Sequence, residues 1–321
     1  MRTIAKKSTM TVLGLATFAA FVTSPMLAQE TLRWKLEVGD KLQYDTKQDM
    51  SMSITGTPLG EITLKTNQQM DMTWEVLETN EEGDAVIRQK VERVRVSMAG
   101  PMGQGVDYDS DATEPPAAGA AVFEAMKKGD FQFTLTPRGE LKDVQVSDEV
   151  LRAFKNSPQA AQMGDQITAE GIQKILMQDV IVLPEKALSD GDTWTAKSEV
   201  TIPSVGKQTL DTTYKFESTK EVEGKNHAVI TADRKVSFAQ ADNVALQMEI
   251  KEQSSEGESL FNIEDGRLGS MNLKHHLTMN ATAAGQTIVQ ELDQTSEVEV
   301  KPAEAANQES KDESQEPAEE N

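Results

Sequence analysis

The chain of 321 residues contains no cysteine and only three histidines. Without cysteine there is no disulfide, no cysteine-ligated zinc, no thiol nucleophile and no thiol for lipid attachment. There is also no Gly-x-Ser-x-Gly elbow, and the Gly-containing stretch at 99–105 lacks the Lys-Ser/Thr that ends a phosphate-binding loop. Because no nucleophile can be paired with a base, we predict a non-enzymatic protein that uses no cofactor.

The few residues suited to metal or acid–base chemistry are better explained without it. His275 falls on the apolar face of a predicted strand, where we expect a buried imidazole bonded to a neighbour, and His227 sits in a turn that we expect to be solvated. Asp107, Asp109 and Asp111 faintly resemble a calcium loop, but the glycine needed at its sharp turn is replaced by Ala112. We therefore predict no catalytic residues and no metal site.

Negative charge dominates the composition, with 53 acidic against 32 basic residues and a net charge of −21. Residues 1–28 carry three basic residues and no acid, so the remainder is near −24. Such a chain repels phosphate backbones and anionic membrane surfaces, and we predict that it does not bind nucleic acid.

The two ends of the chain are unlike its middle. Arg2, Lys6 and Lys7 precede a short apolar run, and small and polar residues follow around Ala28. This pattern predicts a signal peptide over 1–28 and export to the periplasm or beyond, with an uncleaved anchor as the alternative. No other stretch approaches the roughly 20 apolar residues of a spanning helix. Residues 301–321, rich in Pro, Ala, Glu and Ser, predict a disordered acidic tail.

Between these ends, apolar residues recur at every second position over long stretches, for example from Ile62 to Val76. A period of two predicts antiparallel strands with one dry and one wet face. Short helices are predicted at 120–128, after Ser147, and at 169–178. The expected fold class is mainly β (α+β), with long curved antiparallel sheets forming a half-barrel or clam and a few short helices.

The middle of the chain also repeats itself. Gly39-Asp40 and Gly191-Asp192 each precede an alternating run, and aromatic strands around Trp74 and Tyr214 are each followed by an acidic turn and an Ala-Val-Ile strand. A tandem duplication is therefore predicted, with a first β-rich repeat at 29–183, which ends in helices, and a second at 184–300. Two like, bowed lobes would share one dry interior.

Methionine is the most suggestive residue type, with twelve of fifteen lying beyond the predicted signal. Methionine is flexible and polarisable, and it suits surfaces that repack around varied apolar guests. We predict that a methionine-rich concave face forms a ligand-binding surface, although a filled, irregular core would use the same residues. The predicted ligand-binding residues are Met50, Met52, Met70, Met72, Trp74, Met98, Tyr214, Phe216, Met248, Met271 and Met279.

Two segments carry a resemblance to known proteins. Residues 32–35 (LRWK) before Gly39-Asp40, and residues 182–184 (VLP) before Gly191-Asp192, resemble an uncharacterised secreted family of planctomycete-type bacteria. A curved antiparallel sheet behind a signal peptide is also similar to periplasmic lipoprotein-carrier proteins. The resemblance implies fold and export, and it implies no catalytic residues.

These observations leave three functional hypotheses. The first is an exported cell-envelope protein that binds a hydrophobic or lipid-like ligand. The second is an envelope scaffold or interaction protein with a filled core. The third is a hydrolase that uses two carboxylates about 5–10 Å apart.

Overall fold

The computed structural model describes residues 29–101, 105–112, 120–157, 168, 171, 180–202, 205–240, 246–283 and 285–302. Within these residues, 69% lie in strands. The described helices are α1 (Ala121–Lys128) and α2 (Asp148–Lys155). The described strands are β1 (Lys41–Thr57), β2 (Gly60–Thr79), β3 (Ala85–Ala99), β4 (Gly105–Asp109), β5 (Phe131–Leu135), β6 (Leu141–Val146), β7 (Thr193–Ile202), β8 (Gly206–Val222), β9 (Lys225–Gln240), β10 (Leu246–Asn262), β11 (Arg267–Ala283) and β12 (Gln286–Pro302).

All the described strands belong to one antiparallel sheet. The strand order is β6-β5-β3-β2-β1-β12-β11-β10-β9-β8-β7, and β4 pairs with β3 beside this path. The sheet is open, with β6 and β7 at its edges. The mainly β fold with a few short helices is thus confirmed. The two halves are not separate lobes, because β1 pairs with β12 and joins them into one sheet.

The long strands carry the predicted period of two and follow one another through tight hairpins. In β2, Trp74 and Val76 are buried while Thr79 at the strand end is exposed. Tight hairpins allow such strands to follow one another directly. Between β8 and β9, Glu223 and Gly224 have φ of 53° and 76°, and two successive residues with positive φ match the right-handed twist of a hairpin.

The start of β1 and the start of β7 are held by the same backbone hydrogen bonds. The Gly39 N–H donates to the Val76 carbonyl at 2.9 Å, and the Gly191 N–H donates to the Phe216 carbonyl at 2.7 Å. Both glycines have a positive φ, which residues with a Cβ rarely adopt. Each half therefore opens with the same turn.

The aspartates that follow these glycines act alike as well. The Asp40 carboxylate accepts the N–H of Glu37 at 2.9 Å, and the Asp192 carboxylate accepts the N–H of Ser189 at 2.9 Å. Each side chain closes a four-residue turn before its strand, at 37–40 and 189–192, as aspartate commonly does in turns. The repeated Gly-Asp pair in the sequence is thus a repeated structural unit.

A β-bulge also recurs at matching places. The register between β2 and β3 shifts between Val76 and Glu78, and that between β8 and β9 shifts between Phe216 and Ser218. A bulge bends its strand and increases the local twist. The two halves therefore bend the sheet at equivalent positions.

One end of the concave face is filled by a cluster that we call the closed core. Its buried members come from both halves and from the segments preceding β1 and β7; they include Leu32, Trp34, Leu42, Tyr44, Trp74, Val76, Ile87, Phe133, Leu135, Leu183, Tyr214, Phe216, Ile230 and Phe261.

Trp34 shows how strongly the sheet curves. Its ring lies 6.5 Å from that of Trp74 on β2 and 5.5 Å from that of Phe261 on β10. Three strands separate β2 from β10, so a flat sheet would place them about 19 Å apart at roughly 4.8 Å per strand. The sheet therefore wraps around residues 32–36. This segment also bonds to the turns between β5 and β6 and between β10 and β11: the Trp34 N–H donates to the Pro137 carbonyl and the Lys35 N–H to the Gly266 carbonyl, each at 2.8 Å.

Two of the predicted helices are confirmed, as α1 and α2. Ser147 precedes α2 as expected, but its side chain makes no capping hydrogen bond. The helix predicted at 169–178, apart from residue 171, lies outside the described residues, as do the signal segment 1–28 and residues 303–321 of the acidic tail. Among the described residues, no helix has the length and apolar character needed to cross a membrane.

Candidate ligand-binding cavity

Beyond the closed core, the concave face encloses a cavity of about 740 Å³. Its walls come from β1, β2, β3, β5 and β6, from α1 and α2, and from β8, β9, β11 and β12. The sheet curves around the space, and the two helices stand on the first-half side. The cavity adjoins the closed core directly, because core residues such as Trp34, Trp74 and Phe133 also line it. The cavity thus lies between the curved sheet and the two helices.

Five of the eleven predicted ligand-binding residues line this cavity, namely Met70, Met72, Trp74, Met98 and Met271. They come together because β2, β3 and β11 present every second residue to the same face. Trp74 is fixed by a hydrogen bond from its indole N–H to the Gln89 side-chain oxygen at 2.9 Å. The methionine-rich concave surface predicted from the sequence is therefore present over part of the sheet.

The other six predicted residues lie elsewhere. Tyr214 and Phe216 are buried in the closed core. Met50 lines a second, more open depression of about 460 Å³. The remaining three are half-buried near the distal ends of their strands and do not line the cavity: Met52, Met248 and Met279. Alternation predicted which face of the sheet these residues occupy, but it did not predict which part of each strand lines the cavity.

Several cavity residues were missed by sequence reasoning. Phe123 and Met126 on α1, and Phe154 on α2, form the wall opposite the sheet. Their helices were predicted, but nothing in the sequence indicated which face of the sheet they would cover. Arg234 was also missed, although its position between Ala232 and Val236 in an alternating strand could have placed it on the concave face.

The helical wall is anchored to the sheet through Tyr108 on β4. Its ring stacks on Phe123 with a centroid distance of 5.7 Å, and its hydroxyl donates to the Glu124 carboxylate at 2.6 Å. Burial and the nearby Glu124 raise the pKa of the Tyr108 hydroxyl, and the hydrogen bond lowers the pKa of Glu124. The neutral phenol and charged carboxylate therefore form one stable donor–acceptor pair that holds α1.

Two of the three aspartates that faintly resembled a calcium loop, Asp109 and Asp111, are paired with basic side chains. Arg93 bonds Asp109 at 2.6 Å and 3.0 Å, and Lys127 bonds Asp111. The Arg93 hydrogen bond lowers the pKa of Asp109 to about 2. These carboxylates fasten β4 to β3 and α1.

Two of the three histidines differ from expectation. His227 is buried at 8% exposure on β9, so the prediction of a solvated turn was wrong. Its Nδ1 lies 3.0 Å from the Lys225 carbonyl. His275 lines the cavity as its alternation predicted, but its Nδ1 is buried without a hydrogen-bond partner among the described residues. The neighbour expected to bond His275 is thus missing from the described part of the chain.

His276 faces the opposite side of β11. Its Nδ1 lies 2.8 Å from an Asp293 oxygen, and this hydrogen bond raises the pKa of His276. Glu291 lies close enough to complete a three-ligand cluster on the convex face. The existing His276–Asp293 pair accounts for this arrangement.

Solved structures similar to this chain match it at low identity. Lipovitellin, in a structure described as showing lipid–protein interactions, is 12% identical with a TM-score of 0.47 and covers 84% of this chain; this chain spans 26% of lipovitellin. A putative exported protein with a YmcC-like fold from Bacteroides fragilis is 9% identical, has a TM-score of 0.30, and is matched over 84% of this chain and 99% of its own. The outer membrane channel COG4313 from Pseudomonas putida has 8% identity, a TM-score of 0.27, and coverages of 84% and 97%. At these scores none of them assigns a ligand or an activity.

Among curated proteins, no match is found. One family model, however, matches residues 82–268, which run from the turn before β3 into β11 and include both the helical wall and Arg234. This match covers more than half of the chain. The protein therefore belongs to DUF6263, a family of unknown function.

Proposed function

We propose that this protein is an exported, non-enzymatic cell-envelope protein that binds a hydrophobic or lipid-like ligand in the concave cavity. The observation that carries the proposal is the cavity itself, with a volume of about 740 Å³. Ligand pockets in proteins commonly enclose about 300–1,000 Å³ and have mainly apolar walls with a few polar groups. This cavity has both properties.

The lining favours a flexible apolar guest. Five methionines face the space, together with aromatic rings from β2, α1 and β5; the methionines are Met70, Met72, Met98, Met126 and Met271. Methionine has an unbranched side chain with several rotatable bonds, so these walls can adapt to chains of different shape. Removing an acyl chain from water gains about 0.8 kcal/mol per buried methylene, which is enough to drive binding.

The two other hypotheses receive less support. A scaffold with a filled core accounts for the closed core but has no need of the adjoining space. A two-carboxylate hydrolase needs a pair of acids at its site. Along the described cavity walls, Glu297 is the one acidic residue. Binding therefore explains more of the observed geometry than either alternative.

The proposal is tested by filling the cavity. We would measure binding of a fluorescent fatty acid and record native mass spectra for the wild type, for Met70→Trp, and for the control Met52→Trp. Met70 lines the cavity, whereas Met52 lies further along the same face outside it. A bulky indole at position 70 should weaken binding about tenfold or more, since an occupied space cannot also hold the probe.

The control Met52→Trp should bind as the wild type does, and both variants should keep the wild-type unfolding temperature within a few degrees. Clean apo masses for the wild type at saturating lipid, with no probe uptake, would overturn the proposal. Equal weakening by both substitutions would move the binding surface away from this cavity.

A further inference from the structure

Four polar side chains form a row across the concave face, which we call the polar row. Its members lie on β9, β10, β11 and β12 and are Arg234, Ser255, His275 and Gln294. Ser255 is paired in register with His275, and His275 with Gln294. On β9, Ala232 pairs with Gly257, so alternation places Arg234 level with Ser255 two residues further along. The row thus crosses the concave face at one level; Arg234, His275 and Gln294 line the cavity, and Ser255 lies beside His275.

The sheet opens beside this row. β9 and β10 are paired only over residues 227–232 and 257–262. Beyond that point the Gln253 side chain on β10 bonds the backbone of Val236 on β9. Its Oε1 accepts the Val236 N–H at 2.8 Å, and its Nε2 donates to the Val236 carbonyl at 3.2 Å. The backbone at this opening is therefore satisfied locally, and the polar row is not needed to complete the ladder.

Two atoms of the polar row have unused hydrogen-bonding capacity. Ser255 Oγ and His275 Nδ1 are buried and have no hydrogen-bond partner among the described residues. Buried polar atoms in folded proteins nearly always have such a partner, and an exception calls for an explanation. Burial, then the charges of Arg234 and His276, lower the pKa of His275, so its imidazole is neutral at neutral pH and can donate one hydrogen bond.

Charge along the cavity is also distributed unevenly. Among the described lining residues, the charged ones are Lys47, Arg234 and Glu297. Lys47 and Glu297 are paired in the β1–β12 register, and the residues on either side of each line the cavity, so alternation turns both of these side chains to the opposite face. Arg234 therefore places a cationic side chain on the concave face at the polar row, although the chain as a whole carries −21.

We propose that the polar row binds the anionic head group of a single-chain lipid, a carboxylate or a phosphate, while the hydrocarbon chain lies among the cavity methionines. The inference rests on the proposed function and specifies its ligand class. Arg234 supplies the charge, and Ser255 and His275 supply neutral donors to the head-group oxygens. Charge-assisted hydrogen bonds are strong where water is scarce, and Ser255 Oγ and His275 Nδ1 are shielded from solvent.

The experiment compares lipids that differ only at the head. Palmitate, methyl palmitate and palmitoyl lysophosphatidate would be titrated calorimetrically, below their micelle concentrations, into the wild type, Arg234→Gln and Lys235→Gln. Lys235 is the matched control: it is the next residue on β9, faces the other side, and is exposed. Each substitution removes one positive charge, so a difference between them reports position and not net charge.

We expect the wild type to bind palmitate about tenfold or more tightly than its methyl ester, which keeps the chain and loses the charge. Arg234→Gln should remove this preference, whereas Lys235→Gln should retain it. The lysophosphatidate arm identifies which anionic head group is preferred.

The outcomes separate the two proposals. Equal binding of palmitate and its ester by the wild type would overturn the head-group inference while leaving the cavity proposal in place. Binding of none of the three lipids would overturn both. Because the ester comparison uses the unmodified protein, the test stays decisive even if Arg234→Gln fails to fold.

Discussion

The two halves of the sheet are alike at one end and different at the other. At the closed core, β1–β3 and β7–β9 share their opening turn, their bulge and their buried Ala-Val-Ile strand. Beyond it, β3 is followed by the short β4 and by α1, whereas β9 is followed by the long β10 of the same sheet. Similar sequence signals therefore build the core, and the segments that differ build the cavity.

The difference gives the cavity two unlike sides. On the first-half side a second apolar cluster, which includes Val94, Tyr108 and Val150, packs α1 and α2 onto β3. On the second-half side β9 and β10 separate and Arg234 faces the space. One wall is thus apolar and covered by helices, and the other carries the polar row.

The largest expected effect tests whether the halves share one core. Ile87 and Ile230 occupy equivalent strand positions and are both 0% exposed. Ile87→Ala and Ile230→Ala should each destabilise the protein by about 2–5 kcal/mol, because each leaves a cavity in close-packed surroundings. Denaturant unfolding followed by fluorescence and by circular dichroism should show one coincident transition for each variant. Two separated transitions would mean that the halves fold as independent units.

A smaller effect tests the equivalence of the opening turns. Asp40→Ala and Asp192→Ala each remove a carboxylate that accepts a backbone N–H at 2.9 Å. Each change should cost about 1 kcal/mol, the usual net value of such a hydrogen bond. The same unfolding measurement should give two similar losses that add in the double variant. If only one of the two substitutions lowered stability, the two turns would be alike in backbone structure but not in the energetic role of their aspartates.

The smallest expected effect concerns an ion pair of the first half, between Arg93 and Asp109. Arg93 lowers the pKa of Asp109 to about 2, below its ordinary value, so the pair stabilises the fold above pH 4 and loses this contribution as the pH falls toward 2. Asp109 is about a third exposed, with 34% side-chain exposure, so the contribution is less than about 1 kcal/mol.

Arg93→Gln should therefore lower stability slightly at pH 6, and the difference from the wild type should shrink toward pH 2. Urea titrations at several pH values would measure it. A difference that stays constant with pH would assign the effect of Arg93 to packing and not to its charge.

Much of the fold follows from local signals in the sequence. Alternation predicted the strands and their apolar face, and the repeated Gly-Asp pairs predicted turns that the structure reproduces at residues 39–40 and 191–192. The joining of the halves was not predictable in this way. It depends on pairing between β1 and β12, more than 200 residues apart, and alternation does not specify partners.

The candidate site was predicted in part, for a related reason. Met70 and Met271 were identified as concave-face residues, and they do line the cavity. Met52 and Met279 have the same alternation but lie beyond the end of the cavity. The sequence could not predict this, because it does not say how far residues 32–36 and the helices extend along the strands. Arg234 was overlooked because a single charged residue in a strand is most often solvated.

Tryptophan fluorescence provides the most direct test of the central claim, that the concave face holds an apolar ligand. Trp34 and Trp74 line the cavity, whereas Trp194 stacks on Tyr214 and donates to the Val182 carbonyl away from it. In a Trp194→Phe variant, only the two cavity tryptophans remain to report. Saturating dibrominated stearate should quench most of the emission, with unbrominated stearate as the control. Emission unchanged by the brominated lipid would contradict the account.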